Sequence, residues 1–322
     1  MRKKFLAAAA ALLLNFAPVS AAPAWELPDS GVELYGTAKQ SYVAETVEAA
    51  YSKNNPDNYF SAPDGWNYEI LNLGKFNLEY LENPAGNPNR VILQLHGGGY
   101  VLALTNGHRN LAVKYGVLAD AGKIYSVDYR IAPENVYPAA LEDAVAAYQE
   151  ILWRGATPEE IIVIGDSAGG NLTLALSLYL KEHGISQPKM LILVSPWATV
   201  QNNLPSRKYN APRDLILGEG TPLFEPVKKP VYSKGLKAKD PRVSPIYADL
   251  KNLPPMLIQA GGCELFLDEC LALAKKAAAD NVKCTLTVYP EMSHDFALLL
   301  PNLQETLDSF REIRDFINQN MN

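Results

Sequence analysis

Cysteine is scarce in this chain, with three residues at 263, 270 and 284. That number is too small, and odd, so a disulfide framework is excluded, at most one bridge can form, and partly buried free thiols are expected. Histidine is nearly as rare, with four residues at 96, 108, 183 and 294. No two histidines or cysteines stand at ligand spacing with carboxylates, so a metal centre has no support. A basic stripe is missing too: the net charge is -6 with charges interspersed, which argues against a nucleic-acid partner or an anionic membrane surface. The longest apolar run, Phe5 to Leu14, falls well short of the roughly 20 residues a spanning helix needs, so no stable membrane anchor is expected.

What is present reads as an exported enzyme-sized domain. Arg2, Lys3 and Lys4 precede that apolar run, and Ala21 and Ala22 supply small residues for cleavage, so residues 1–22 read as a signal peptide and the mature chain as secreted or periplasmic. Hydrophobic residues make up 48% and charged residues 20% of the sequence, enough apolar side chain for one large core spanning 23–322. Short, nearly continuous apolar runs at Val91–Leu95, Ile124–Val127, Ile161–Ile164, Leu191–Val194, Met256–Ala260 and Cys284–Tyr289 read as strands buried on both faces. Helical periodicity separates them at Asn110–Ala121, Ala139–Trp153, Asn171–His183 and Phe266–Ala279, with a last helix at Leu303–Ile317. Alternation of this kind implies a mostly parallel, doubly wound sheet with right-handed crossovers and helices on both faces. Two stretches fall outside the pattern. Residues 25–84 form a polar, aromatic-rich lead-in with an amphipathic helix near Ala38–Tyr51, and residues 199–250 are rich in Pro, Lys and Asn with no clean period. Ligands bind at the carboxyl ends of such strands, so residues 199–250 are expected to act as a lid over that edge, whereas the role of residues 25–84 is not fixed by their own pattern.

The sharpest signal is Gly165-Asp166-Ser167-Ala168-Gly169-Gly170, set directly between the Ile161–Ile164 strand and the helix that follows. A serine on such a turn is pushed out above the sheet, and glycines two residues away on each side let the strand double back into the helix. A phosphate cradle is the competing use of a Gly-rich strand-to-helix turn, but neither G-x-G-x-x-G nor Gly-Lys-Ser/Thr occurs. Ser167 is therefore the candidate nucleophile. His96-Gly97-Gly98-Gly99-Tyr100, at the end of the Val91–Leu95 strand, places backbone N–H groups at the same edge. Gly97, Gly98 and Gly99 with Ala168 are the candidate oxyanion hole, and His96 reads as structural.

These motifs, with Asp128-Tyr129-Arg130-Ile131-Ala132-Pro133-Glu134 between them, resemble in order and spacing the bacterial hormone-sensitive lipase family of esterases. Pro138-Ala139-Ala140-Leu141-Glu142-Asp143 and Val243-Ser244-Pro245 also resemble that family. The resemblance implies an α/β-hydrolase core, a cap built partly from the N-terminal segment, no cofactor, and hydrolysis of short- to medium-chain acyl esters. The base must sit in a loop reaching the carboxyl edge. His294, after the Cys284–Tyr289 strand and in a turn similar to the family's His-x-Phe ending, has that address. His183 ends a helix facing away, and His108 opens another. Glu264, Asp268 and Glu269 all follow the Met256–Ala260 strand. The family usually reads Asp-Pro-Leu-x-Asp-Glu there; position 264 matches its catalytic acid, with Glu for Asp and Leu265 for Pro. A strand-end loop aims at the site while the first helical turn does not, which favours Glu264 over Asp268. Asp128 and Glu134 are expected to brace the loops behind the oxyanion hole through Arg130. Other uses of the same site are deacetylation of carbohydrates and, if chemistry has been lost, ligand binding alone.

Overall fold

The computed structural model describes residues 25–50 and 59–321; the expected signal peptide at 1–22 lies outside the described residues. Eight strands form one sheet: β1 Asn67–Asn72, β2 Asn77–Glu82, β3 Asn87–Leu95, β4 Ala121–Asp128, β5 Ile161–Asp166, β6 Met190–Val194, β7 Met256–Gly261 and β8 Cys284–Tyr289, in the order β1-β2-β4-β3-β5-β6-β7-β8. From β4 through β8 every pairing is parallel. All residues of β5, β6 and β7 are buried, which is why they read as unbroken apolar runs. The outermost β8 carries threonines on a half-exposed face, as an edge strand does.

The N-terminal hairpin of β1 and β2 departs from the sequence reading. It pairs antiparallel with itself and with β4. Its strands carry Asn and Glu at strand positions, and β1 is mostly exposed, so the alternation that marks a half-buried strand is weak. Leu78 and Leu81 point into the core, while buried Glu79 is met by Arg109 through two hydrogen bonds of 2.7 and 2.6 Å.

Helices fill both faces: α1 Gly36–Ala50, α2 Asn106–Ala119, α3 Ala139–Trp153, α4 Ala168–Glu182, the short α5 Ser206–Tyr209 and α6 Phe224–Lys228, then α7 Leu267–Ala279, α8 Phe296–Leu299 and α9 Gln304–Met321. Register fixes the position of the site. Leu95 lies opposite Gly165, Asp166 opposite Val194, and Gly261 opposite Tyr289, so β3, β5, β6, β7 and β8 end at one rim. The chain also reverses direction across the sheet between β3 and β5, the place where doubly wound sheets open a crevice.

Helix α1 and the segment 199–250 pack on that rim, whereas residues 67–82, expected to belong to a cap, are instead strands of the sheet itself. From the segment 199–250, the Ser206 N–H donates to Asp268 (2.7 Å), Asn210 donates to the Glu264 carbonyl (2.8 Å), and Asp214 accepts from the Leu265 N–H (2.8 Å). Arg207 and Glu269 form a buried ion pair at 2.8 Å. On the N-terminal side, Val43 and Val47 of α1 join the core, and Lys39 is paired with Glu305 and with Glu291, the latter at 3.4 Å.

Candidate active site

Ser167 occupies a strained turn between β5 and α4, with φ 52° and ψ −116°. A non-glycine residue stays in this sparsely allowed region only when its surroundings over-determine it. Here the Ser167 N–H donates to the Val194 carbonyl (2.9 Å), and its own carbonyl accepts from the Trp197 and Asn171 N–H groups at 2.9 and 3.1 Å. Close approach explains Gly169: a Cβ there would stand 2.7 Å from the His96 carbonyl oxygen and closer still to that of Leu95. Strand β3 and helix α4 meet at that point, so the glycine brings the turn of the candidate nucleophile against the candidate oxyanion turn.

In the oxyanion turn Gly98 and Gly99 have φ of 106° and 63°, conformations that aim successive N–H groups to one side and suit glycine. Gly97 departs from the expected donor set. Its N–H donates to Asp166 Oδ2 at 2.9 Å, so it is committed to a carboxylate and is not a free oxyanion donor. The residue is still constrained, because a Cβ on Gly97 would overlap that same carboxylate. The Gly98, Gly99 and Ala168 amides are the donors that remain; Ala168 heads α4, where N–H groups have no partner within the helix. Asp166 is fully enclosed. Burial pushes its carboxyl up, but the neighbouring His108 ring outweighs this and holds it below the ordinary value.

The histidines outside the candidate base take structural positions. The His96 ring stacks on Tyr129 at 4.1 Å, and its Nδ1–H donates to the Gly97 carbonyl at 2.7 Å. Burial, with His108 nearby, lowers its pKa to about 3, so it stays neutral and rigid. His108 closes a capping box with Thr105 at the start of α2, and His183 sits exposed at the end of α4, stacked on Tyr179. The expected bracing of Arg130 by Asp128 and Glu134 is not what the structure contains. Arg130 forks onto Asp143 at 2.8–3.0 Å and reaches Glu142 at 2.9 Å; Asp128 faces the Leu104 N–H and Glu134 is exposed. The partner comes one helix later because α3 folds back under the turn carrying Arg130.

His294 is buried at the same rim, edge-on to Phe266 at 4.8 Å. Glu264 Oε2 stands 3.7 Å from its Nδ1. That carboxylate is held by the Ser195 hydroxyl (2.6 Å) and the Gly261 N–H (3.1 Å), and the Cys270 thiol lies 3.5 Å from its other oxygen. Asp268, the competing acid, points away and accepts from the insertion's Ser206 N–H and from Tyr209. On the opposite side of the ring, Asp295 Oδ2 stands 3.0 Å from Nε2. Burial alone would lower the pKa of His294, but Asp295 and Glu264 outweigh it and raise it well above the ordinary value. Among the described residues neither ring nitrogen has a hydrogen-bond partner of good geometry, and no bond joins His294 to Ser167.

A family model described as the alpha/beta hydrolase fold matches residues 92–298. An acetyl-hydrolase of Streptomyces hygroscopicus is 34% identical over 74% of this chain and 78% of its own length. An esterase of Acinetobacter venetianus is 34% identical over 70% of this chain and 74% of its own. The crystal structure of an esterase from the bacterial hormone-sensitive lipase family superposes with a TM-score of 0.79 at 30% identity, covering 90% of this chain and 100% of that one. The chain belongs to the bacterial hormone-sensitive lipase family of esterases.

Ser195 donates to Glu264 and accepts from the Asp295 N–H at 3.2 Å, joining the loop after β7 to the loop after β8. Sequence reasoning missed Ser195, Asp214 and Asp295. Ser195 ends the Leu191–Val194 apolar run with φ 45°, a position where a polar residue was a legible signal. Asp214, buried among the N–H groups of Ile216, Leu217 and Leu265, had none, because it lies in the aperiodic insertion.

Proposed function

We propose that this chain is a carboxylesterase acting on short- to medium-chain acyl esters through an acyl-enzyme. The Ser167 hydroxyl oxygen attacks the ester carbonyl carbon as His294 Nε2 takes its proton, and the carbonyl oxygen becomes an anion held by the Gly98, Gly99 and Ala168 amides. Collapse expels the alcohol, which receives the proton back from His294. Water then attacks the acyl carbon, giving its proton to Nε2, and the acid leaves as Ser167 recovers its hydrogen. Glu264 orients the ring from the Nδ1 side and offsets the charge of the imidazolium.

The observation that carries this reading is the grouping at one rim. Ser167 heads α4 directly after β5, and the imidazole of His294 has a buried carboxylate 3.7 Å from Nδ1. The names of the relatives, esterase and acetyl-hydrolase, support acyl esters as substrates. Helix α1 and the segment 199–250 serve as the cap that shapes the acyl pocket, a role supported by their packing on the loops after β7 and β8. Export is supported by the Arg2 to Ala22 pattern.

A panel of 4-nitrophenyl esters from acetate to laurate tests the reading, alongside acetylated sugars. Ser167→Ala is expected to lose turnover and fluorophosphonate labelling while keeping the wild-type unfolding temperature. Wild-type rates in that variant refute the nucleophile; a wild-type chain that resists the probe makes this a ligand-binding relative.

A further inference from the structure

His294 has a carboxylate on each side, and the nearer one is on the wrong side for acylation. Glu264 faces Nδ1 at 3.7 Å, whereas Asp295 faces Nε2 at 3.0 Å. Nε2 is the atom that must receive the Ser167 proton. Asp295 is the residue immediately after the base and adopts the left-handed region, φ 45° and ψ 36°, as the cap of α8. Its backbone is anchored, since its N–H donates to the Ser195 hydroxyl that also binds Glu264. Its side chain is not: Oδ1 is buried and has no hydrogen-bond partner among the described residues. A buried carboxylate with an unmatched oxygen is costly to keep in place, so its hold on His294 rests on attraction between charges.

We propose that Asp295 is a positioning residue that competes with Ser167 for Nε2 of His294, so that the base rests turned toward a carboxylate and acylation waits on Asp295 moving off the ring. This rests on His294 being the general base. The groups facing the pair are Glu264 from the loop after β7, Asp166 from the end of β5 with His108 of α2 behind it, and Asp214 from the insertion, which accepts from the His294 backbone N–H at 3.4 Å. Every one of the carboxylates facing the ring favours the imidazolium. Among the described residues Asp295 is the one carboxylate that faces Nε2, so it both stabilises the protonated ring and blocks the route of the proton from Ser167. Asp295 thereby shifts upward the pH below which the enzyme loses activity.

The test is the pH profile of kcat/KM on 4-nitrophenyl acetate for the wild type, Asp295→Asn and Asp295→Gly, the last chosen because glycine suits the left-handed backbone. Loss of a neighbouring anion lowers the pKa of an imidazole, and kcat/KM needs that ring neutral, so the acidic limb moves to lower pH. A displacement of about one unit is expected in both variants. One unit below the wild-type midpoint this is about a fivefold gain relative to each enzyme's own plateau. Asp295→Glu, which restores the charge, is expected to return the limb toward the wild type. Folded variants whose limb stays at the wild-type pH overturn the proposal, as does a uniform fall in rate at every pH without a shift, which marks a purely structural residue. His294→Ala separates the two readings: if it keeps wild-type turnover, the assignment of the base itself has failed.

Discussion

Replacing Glu264 by Gln gives the most direct measure of how this site works, because the amide matches the carboxylate in size and keeps its acceptor. The Gln oxygen can take over both bonds to Oε2, from Ser195 at 2.6 Å and Gly261 at 3.1 Å, with the new NH2 group directed to the Cys270 side. What disappears is a negative charge 3.7 Å from the imidazole. At an effective dielectric near 20, an imidazolium and a carboxylate at that distance attract by about 4 kcal/mol. At a pH above the His294 pKa the ring is neutral before attack, so that charge develops only as Ser167 gives up its proton, the loss falls on the transition state and it corresponds to about 10³-fold in kcat. Asp268→Asn is the matched control. Asp268 serves the Ser206 N–H at 2.7 Å and stands outside the imidazole's surroundings, so kcat is expected to stay within about threefold while stability drops by about 1 kcal/mol. Steady-state kinetics on 4-nitrophenyl butyrate, with thermal unfolding of each variant, reads both quantities. A larger kcat defect in Asp268→Asn than in Glu264→Gln refutes the reasoning and moves the acid one turn into α7.

Two further substitutions probe the frame that holds the site. Gly169→Ala drives a Cβ into the Leu95 and His96 carbonyls, backbone atoms that cannot turn aside, so a loss of about 3 kcal/mol is expected, read by chemical denaturation; an unchanged midpoint refutes the close approach of β3 and α4. Asp143→Ala leaves Arg130 with only Glu142 and the Ala139 carbonyl. Arg130 is partly solvated, at 20% side-chain exposure, so the cost is expected near 2 kcal/mol, about 4 °C in Tm by calorimetry, rather than that of a fully buried pair.

The strands and helices of the parallel half were legible because each is buried on both faces or along one stripe, and the run Ile161–Ile164 or the period of Ala139–Trp153 records that burial directly. Ser167 was legible for a local reason as well: the strain of its turn can be met only by glycines at fixed neighbouring positions, so the geometry leaves a mark in consecutive residues. The hairpin of β1 and β2 left little trace, since an edge strand with Asn67, Glu69 and Asn72 toward solvent has no need of a regular apolar face.

Only the folded chain decides which donors and carboxylates meet. Gly97 reads as an oxyanion donor until Asp166, 69 residues away, accepts its N–H; Arg130 finds Asp143 rather than its sequence neighbours; Asp295 reaches the ring nitrogen expected to serve Ser167. Local sequence dictates where a turn bends, because steric limits act between adjacent residues. The partner of a buried charge is set by sheet register and helix packing, which sum contributions from the whole chain and so appear in no single segment of it.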